Sequence, residues 1–328
     1  MSLKKIPILK SCKIKVGITI GDPSGIGPAI TLKALNRLGS LADFTVFGDS
    51  WVLSQACVSK FPTRNAKFID LKNIKRKDFR FGKVRAEYGK AAIEYLDEAL
   101  EMLTMKKIDC LVTGPISKEA ISLAGYKFSG HTEYLAKKTK SDETVMMLLN
   151  RYLRFSLITR HIPIRDVSLK LNKDLIYRNI KITAGSLMKF FLIPFPRIVV
   201  CALNPHASDN GLIGTEENKI IKPAIKKSSF KLKIRIAGPM SADSAIQKAA
   251  KGNYDAVVAI YHDQALIPLK LSGANSGVNL TLGLPFIRTS PLHGTAFDIA
   301  DNPALIKADS FIEAVKLAVK CASNLKKG

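Results

Sequence analysis

Five histidines hold most of the side-chain chemistry this chain has to offer. They are His131 in GHTEYLA, His161 in TRHIPIRD, His206 in NPHASDNG, His262 in YHDQALIP and His293 in PLHGTAFD. Each lies in a segment dense with Gly, Pro, Asn, Asp or Ser, outside any regular apolar stripe. One such histidine is most often a structural hydrogen-bonding residue. Five of them at predicted strand ends or loops carry more weight, because α/β proteins gather their sites at the carboxyl ends of strands. His161, His206 and His262 each follow a predicted strand directly. Three neutral imidazoles on one divalent cation leave coordination positions open for a substrate. Their wide separation forms no local metal motif, so the ligating and the structural readings both stand at this point.

A second group of residues suits an anion. Lys270, Asn279 and Arg288 recur at nine-residue intervals and, with Thr132, supply donors for a phosphate or a carboxylate, with arginine able to bind bidentately. Taken singly, each is equally well read as an isolated surface group. Near the N-terminus a predicted strand, Val16–Ile20, runs into GDPSGIGP (residues 21–28) and then a helix. Glycines in such a turn let backbone N–H groups approach an anion at the helix N-terminus. The turn matches neither the dinucleotide fingerprint GxGxxG nor a P-loop, and a purely packing role is the alternative.

The elements that must position these residues alternate short β-branched runs with longer amphipathic ones, the pattern of α/β architecture. Strands are predicted at Val16–Ile20, Phe44–Phe47, Cys110–Thr113, Thr144–Leu149, Phe155–Thr159, Arg197–Ala202, Lys233–Ile236, Ala256–Tyr261 and Val278–Thr281. Helices are predicted at Gly25–Leu38, Tyr88–Thr104, His131–Lys138, Ile176–Phe190, Ser241–Ala250 and Ser310–Leu325. Ile93, Leu96, Leu100 and Leu103 recur at three- and four-residue steps with acidic residues between them, which marks an amphipathic helix.

The 328 residues include 51 Lys or Arg against 27 Asp or Glu, a formal charge of +24. Hydrophobic residues make up 47% of the chain, enough for a packed core and too many for a disordered basic tail. No zinc finger, helix-turn-helix or RNA-binding motif accompanies the charge, so the expected partner is a small anion and not nucleic acid. Cys12, Cys57, Cys110, Cys201 and Cys321 are odd in number and widely spaced, as expected of idle thiols in a reducing compartment. The apolar stretch after Lys4 and Lys5 is too short for a signal peptide, and Pro194 interrupts the apolar segment Phe190–Phe195. No membrane association and a cytoplasmic location are expected.

GDPSGIGP, TGPISKEAI, GHTEYLA, NPHASDNG followed by GTEE, GPMSAD, YHDQ and GVNLTLGLPFIRTS occur in this order between about Val16 and about Ile299. The set resembles the 4-hydroxythreonine-4-phosphate dehydrogenase family of vitamin B6 biosynthesis. GHTEYLA and NLTLGLPFIRTS are its specific members. The resemblance implies two α/β/α domains with a cleft between them, akin to isocitrate and isopropylmalate dehydrogenases and not to the Rossmann type. One domain would comprise residues 1–129 plus 284–328 and the other residues 130–283. It implies that His161, His206 and His262 bind a divalent cation (Zn, Mg, Co or Mn) at a site shared between the subunits of a homodimer. His131, Thr132, Lys270, Asn279 and Arg288 fall on positions that contact the phosphorylated substrate. Asp243 and Asp263 are candidates for orienting a ligand or accepting a proton. NAD or NADP is the implied oxidant, with no cofactor residues identified.

The implied reaction oxidises 4-phosphohydroxy-L-threonine to 2-amino-3-oxo-4-phosphooxybutanoate, which loses carbon dioxide to give 3-amino-2-oxopropyl phosphate. The chain departs from the family pattern at Ala29 (usually Glu), Ser241 (usually Pro), Ala265 (usually Gly) and Leu292 (commonly Asp). These departures touch none of the named metal or phosphate contacts. They keep open a relative that oxidises another phosphorylated hydroxy acid, such as 4-phosphoerythronate, or a dihydrodiol. A basic nucleic-acid-binding protein is the alternative from another class.

Overall fold

The computed structural model describes residues 13–57, 66–128, 130–273 and 276–327. The basic segment after Met1, with Cys12, lies outside them. Eleven strands form one sheet: β1 (Lys15–Thr19), β2 (Asp43–Gly48), β3 (Ala66–Asp70), β4 (Cys110–Thr113), β5 (Val145–Leu149), β6 (Arg154–Leu157), β7 (Ile198–Cys201), β8 (Ile236–Met240), β9 (Ala256–Ala259), β10 (Val278–Leu282) and β11 (Ile287–Pro291). Their spatial order is β3-β2-β1-β4-β11-β10-β5-β6-β9-β7-β8.

Neighbours from β3 to β11 are parallel, and so are those from β6 to β8. Between these two sets, β10 and β5 run antiparallel to each other and to the strands beside them, forming a seam. The segment that contains β5 to β10 starts and finishes on this seam, where Val145 and Leu282 are direct partners.

Helices cover both faces, so the parallel strands read as continuous apolar runs and not as alternating ones. β4 (CLVT), β7 (IVVC) and β9 (AVVA) are buried at every position. Helix Ala86–Thr104 buries Tyr88, Ile93, Tyr95 and Leu96. Its Gly89 lets helix Lys118–Leu123 approach closely; a Cβ there would lie 2.2 Å from the Ala120 carbonyl oxygen.

The six predicted helices are present, His131–Lys138 to the residue. The structure corrects the reading in other places. Lys222–Leu232 and His262–Gly273 are helices that the charge run and the YHDQ segment concealed. The strand expected at Lys233–Ile236 forms instead at Ile236–Met240. β3 and β11 were not anticipated. No helix among the described residues is long and apolar enough to cross a membrane. Burial pushes the Cys201 and Cys321 thiols up to about 12, as expected of inert packing residues.

Candidate active site

β10 and β11 present polar side chains on one face. Across β10 and β11, Asn279 pairs with Ser290 and Thr281 with Arg288. Successive residues of a strand point to opposite faces, so Asn279 and Thr281 share a face, as do Arg288 and Ser290. A cavity of ≈180 Å³ lies there, lined by His131, Thr132, Asn279, Arg288 and His161 together with Lys118, Glu133 and His293. Four of the five residues predicted to contact substrate thus meet in one place, beside one predicted cation ligand.

Arg288 is 2% exposed. Its Nε and Nη2 donate to Thr113 Oγ1 at 3.2 and 2.7 Å, and its Nη1 to Thr281 Oγ1 at 3.0 Å. Neutral hydroxyls aim the guanidinium but leave its charge uncompensated. Burial lowers its pKa to about 10, opposed by the more distant Glu133 carboxylate. A guanidinium has five N–H donors, so two remain for a ligand.

His131 is the first residue of its helix, whose opening turn, with Gly130, Thr132 and Glu133, lines the cavity. The unsatisfied N–H groups of that turn favour an anion. Burial, and then the Arg288 charge, hold the His131 imidazole well below its ordinary pKa, so it is neutral at physiological pH. His131 Nε2, Asn279 Oδ1 and His293 Nε2 are buried without a hydrogen-bond partner among the described residues. Buried polar atoms are ordinarily paired, and three unpaired ones on the walls of one cavity point to a bound polar ligand.

His161 follows β6, and its ring lies 5.6 Å from that of His262, centroid to centroid. Its pKa is lowered by burial, then by Lys118 and His262, which keeps it in the neutral form that a cation requires. His262 opens helix His262–Gly273, and its Nδ1 lies 2.8 Å from Asp263 Oδ1. With the proton on Nδ1, the imidazole donates to Asp263 and keeps the Nε2 lone pair available. Gln264 fixes this turn: it accepts from Ile260 N at 2.8 Å and donates to the Ala202 carbonyl at 2.8 Å. YHDQ therefore sets in succession an imidazole, the carboxylate that orients it and a side chain that anchors the turn.

The remaining predicted residues lie elsewhere. His206 is exposed, in a turn where residues 206–210 all have positive φ. The buried Glu217 carboxylate holds the base of this turn, accepting from Leu203 N, Asn204 N and Asn204 Nδ2 at 2.8 to 2.9 Å. Lys270 lines an adjacent cavity of ≈240 Å³, separated from the first by His293, which lines both. Asp243 is exposed in the first turn of helix Ala242–Ala250. Among the described residues no three His, Cys, Asp or Glu side chains are grouped closely enough to hold a metal ion.

GDPSGIGP packs behind TGPIS, whose Gly114, Pro115 and Ile116 line the cavity; Asp22 N donates to the Pro115 carbonyl at 2.9 Å. A Cβ on Gly27 would lie 1.8 Å from the Ile20 carbonyl oxygen, and one on Gly21, at φ +76, would lie 2.2 Å from that of Pro115. Asp22 in this turn is fully buried; its Oδ1 accepts from Ser24 N and Oγ while Oδ2 has no partner, and burial raises its pKa to about 6.

Thr113, Lys118, Glu133 and Thr281 were not singled out in the sequence, although all lie within the motifs that drew attention. His293 was noted without a role. Only its place between two cavities gives it one.

The family model described as "Pyridoxal phosphate biosynthetic protein PdxA" matches residues 40–318. A 4-hydroxythreonine-4-phosphate dehydrogenase from Sulfurihydrogenibium sp. is 42% identical, covering 93% of this chain and 98% of its own. A relative from Oceanobacillus iheyensis, assigned provisionally as a D-threonate 4-phosphate dehydrogenase, is 38% identical over 94% of this chain and 97% of its own. The crystal structure of 4-hydroxythreonine-4-phosphate dehydrogenase from Klebsiella pneumoniae superposes with a TM-score of 0.85 at 36% identity, covering 95% of this chain and 98% of that one. A family match across most of the chain and near-complete coverage at this identity assign the chain to the PdxA family, the 4-hydroxythreonine-4-phosphate dehydrogenases.

Proposed function

We propose that the chain oxidises the C3 alcohol of 4-phosphohydroxy-L-threonine with NAD or NADP in the route to pyridoxal phosphate. The observation that carries this reading is the buried, uncompensated Arg288 beside the unpaired His131 and Asn279 atoms, in a cavity suited to a small phosphorylated molecule. Arg288, Asn279, Thr132 and the opening turn of helix His131–Lys138 hold the phosphate, with Lys270 closing on it from the adjacent cavity. Fixing the phosphate turns binding energy into orientation of the C3–H bond toward the nicotinamide.

The imidazoles fit a divalent cation by their chemistry: His161 and His262 are neighbours, His161 is held neutral, and His262 is oriented by Asp263. His206 is assigned to the same cation, at a site completed by a second subunit of a homodimer. When bound, the cation supplies charge that acidifies the alcohol, and the dinucleotide supplies the hydride acceptor. In this reading Asp263 orients His262, and Asp243 is the candidate proton acceptor. Its product, 2-amino-3-oxo-4-phosphooxybutanoate, is a β-keto acid that loses carbon dioxide to give 3-amino-2-oxopropyl phosphate. The same reading divides the chain into residues 1–129 plus 284–328 and residues 130–283, and puts the enzyme in the cytoplasm.

The D-threonate 4-phosphate relative favours a second reading within the family, oxidation of a phosphorylated sugar acid at the same phosphate contacts. NADH formation is measured with 4-phosphohydroxy-L-threonine and with D-threonate 4-phosphate, each with and without a chelator. Chelator-sensitive turnover of the amino acid at the higher kcat/KM is expected. Preference for the sugar acid would transfer the assignment, and chelator-insensitive turnover would remove the cation.

A further inference from the structure

A second cavity, of ≈730 Å³, lies on the other face of the seam. Val278 lines it, whereas the next residue, Asn279, lines the substrate cavity. Its volume is in the range of sites that enclose a small organic ligand. The turn between β5 and β6, Phe191 and helix Asp309–Leu325 form its walls.

The charge facing this cavity is one-sided. Arg151, Arg154, Lys316 and Lys320 line it against one carboxylate, Glu313, and Lys316 already engages that carboxylate at 2.8 Å. Among the described residues, no carboxylate forms an ion pair with Arg151, Arg154 or Lys320; nearby Asp255 is taken by Arg197 at 3.0 Å. Arg154 is held rigidly. Its Nη1 donates to the Asp255 carbonyl at 3.1 Å and its guanidinium stacks 4.7 Å over the Phe191 ring. Its Nε is buried with no acceptor among the described residues. A preformed guanidinium lining a roomy cationic cavity is the arrangement that recognises a phosphate group.

We propose that this rear cavity binds a small organic phosphate, anchored by the Arg154 guanidinium and gathered at the mouth by Arg151, Lys316 and Lys320. The proposal is independent of the dehydrogenase reading, because no residue of the substrate cavity takes part in it. A phosphate carries three terminal oxygens and close to two negative charges, enough to meet the Arg154 guanidinium and the two lysines together.

Calorimetric titration of the full chain with glycerol 3-phosphate and with AMP tests this. At least one of the two is expected to fill a site that weakens at least tenfold in the double variant Lys316→Gln/Lys320→Gln. Both positions are exposed, so that variant folds. Arg154→Lys, which keeps the charge but loses the fork, is expected to weaken the same site. The double variant is expected to retain the parent's rate of NADH formation. Lys75→Gln/Lys77→Gln, at two exposed lysines just beyond the edge strand β3, five strands from β10, serves as the charge control. Titrations that match the parent in both rear-cavity variants would overturn the proposal. So would an equal weakening in the control, which would assign the binding to diffuse surface charge.

Discussion

Replacing Arg288 with methionine separates what the buried guanidinium costs the fold from what it gives the substrate. Burial moves its pKa from 12.5 to about 10, a desolvation penalty of about 3 kcal/mol. Because the folded-state pKa is the lower one, this penalty is fully present at neutral pH and is relieved only as the pH climbs through 10. Against it stand three hydrogen bonds from the charged guanidinium to Thr113 and Thr281, worth about 1.5 kcal/mol each. The two terms largely cancel, so Arg288→Met is expected to unfold in urea within about 2 kcal/mol of the parent. The substrate has no such compensation. Loss of a buried, charge-assisted contact to the phosphate costs about 4 kcal/mol, or roughly a thousandfold in kcat/KM. Unphosphorylated 4-hydroxy-L-threonine, which never engages the guanidinium, is expected to lose less than about tenfold. Equal losses with the two substrates would refute the assignment of Arg288 to the phosphate. A collapse of stability with unchanged phosphate discrimination would make it a structural cation only.

The remaining predictions concern a ligand and a buried acid. His206→Ala, at an exposed position, is expected to keep the parent's circular dichroism and melting curve while metal-dependent turnover falls by at least about a hundredfold; an unchanged rate would exclude His206 from the cation site. Asp22, pushed by burial from 3.8 to about 6, keeps its proton in the folded state through a window where the unfolded chain releases it. Its contribution to stability therefore falls as pH rises from 4 to 6, and the penalty is complete above 6. Asp22→Asn is expected to stabilise the protein by about 3 kcal/mol at pH 8 and by almost nothing near pH 4, read by urea unfolding. A gain of the same size at both pH values would contradict burial as the cause.

Types and periods made several elements readable. β4 (Cys110–Thr113) and helix His131–Lys138 stand out because an apolar run or a helical stripe is bounded by turn-forming residues. β11 was hidden because Arg288, Thr289 and Ser290 are polar yet buried, and polarity in a short segment ordinarily signals a loop. Helix His262–Gly273 was hidden by Pro268 within it. The histidines could be ranked by residue type alone, whereas the environment that defines Arg288 could not. One of its threonines lies 175 residues away along the chain and reaches it only because β11 sits beside β4. Pairing distant strands is a tertiary event, and local pattern holds no record of it.

The rung where Val145 faces Leu282 has a consequence for how this chain tolerates rearrangement. Everything from β5 to β10 enters and exits through two Cα positions about 5 Å apart. A graft from a relative has to match that pair of anchor points and the β10–β11 rungs from Val278–Pro291 to Thr281–Arg288, and the register of the other five strands is untouched by its length. A circular permutant opened in an exposed loop of this excursion likewise keeps the rung intact. The architecture is therefore open to exchange of the histidine-bearing excursion while Arg288 stays in the recipient frame.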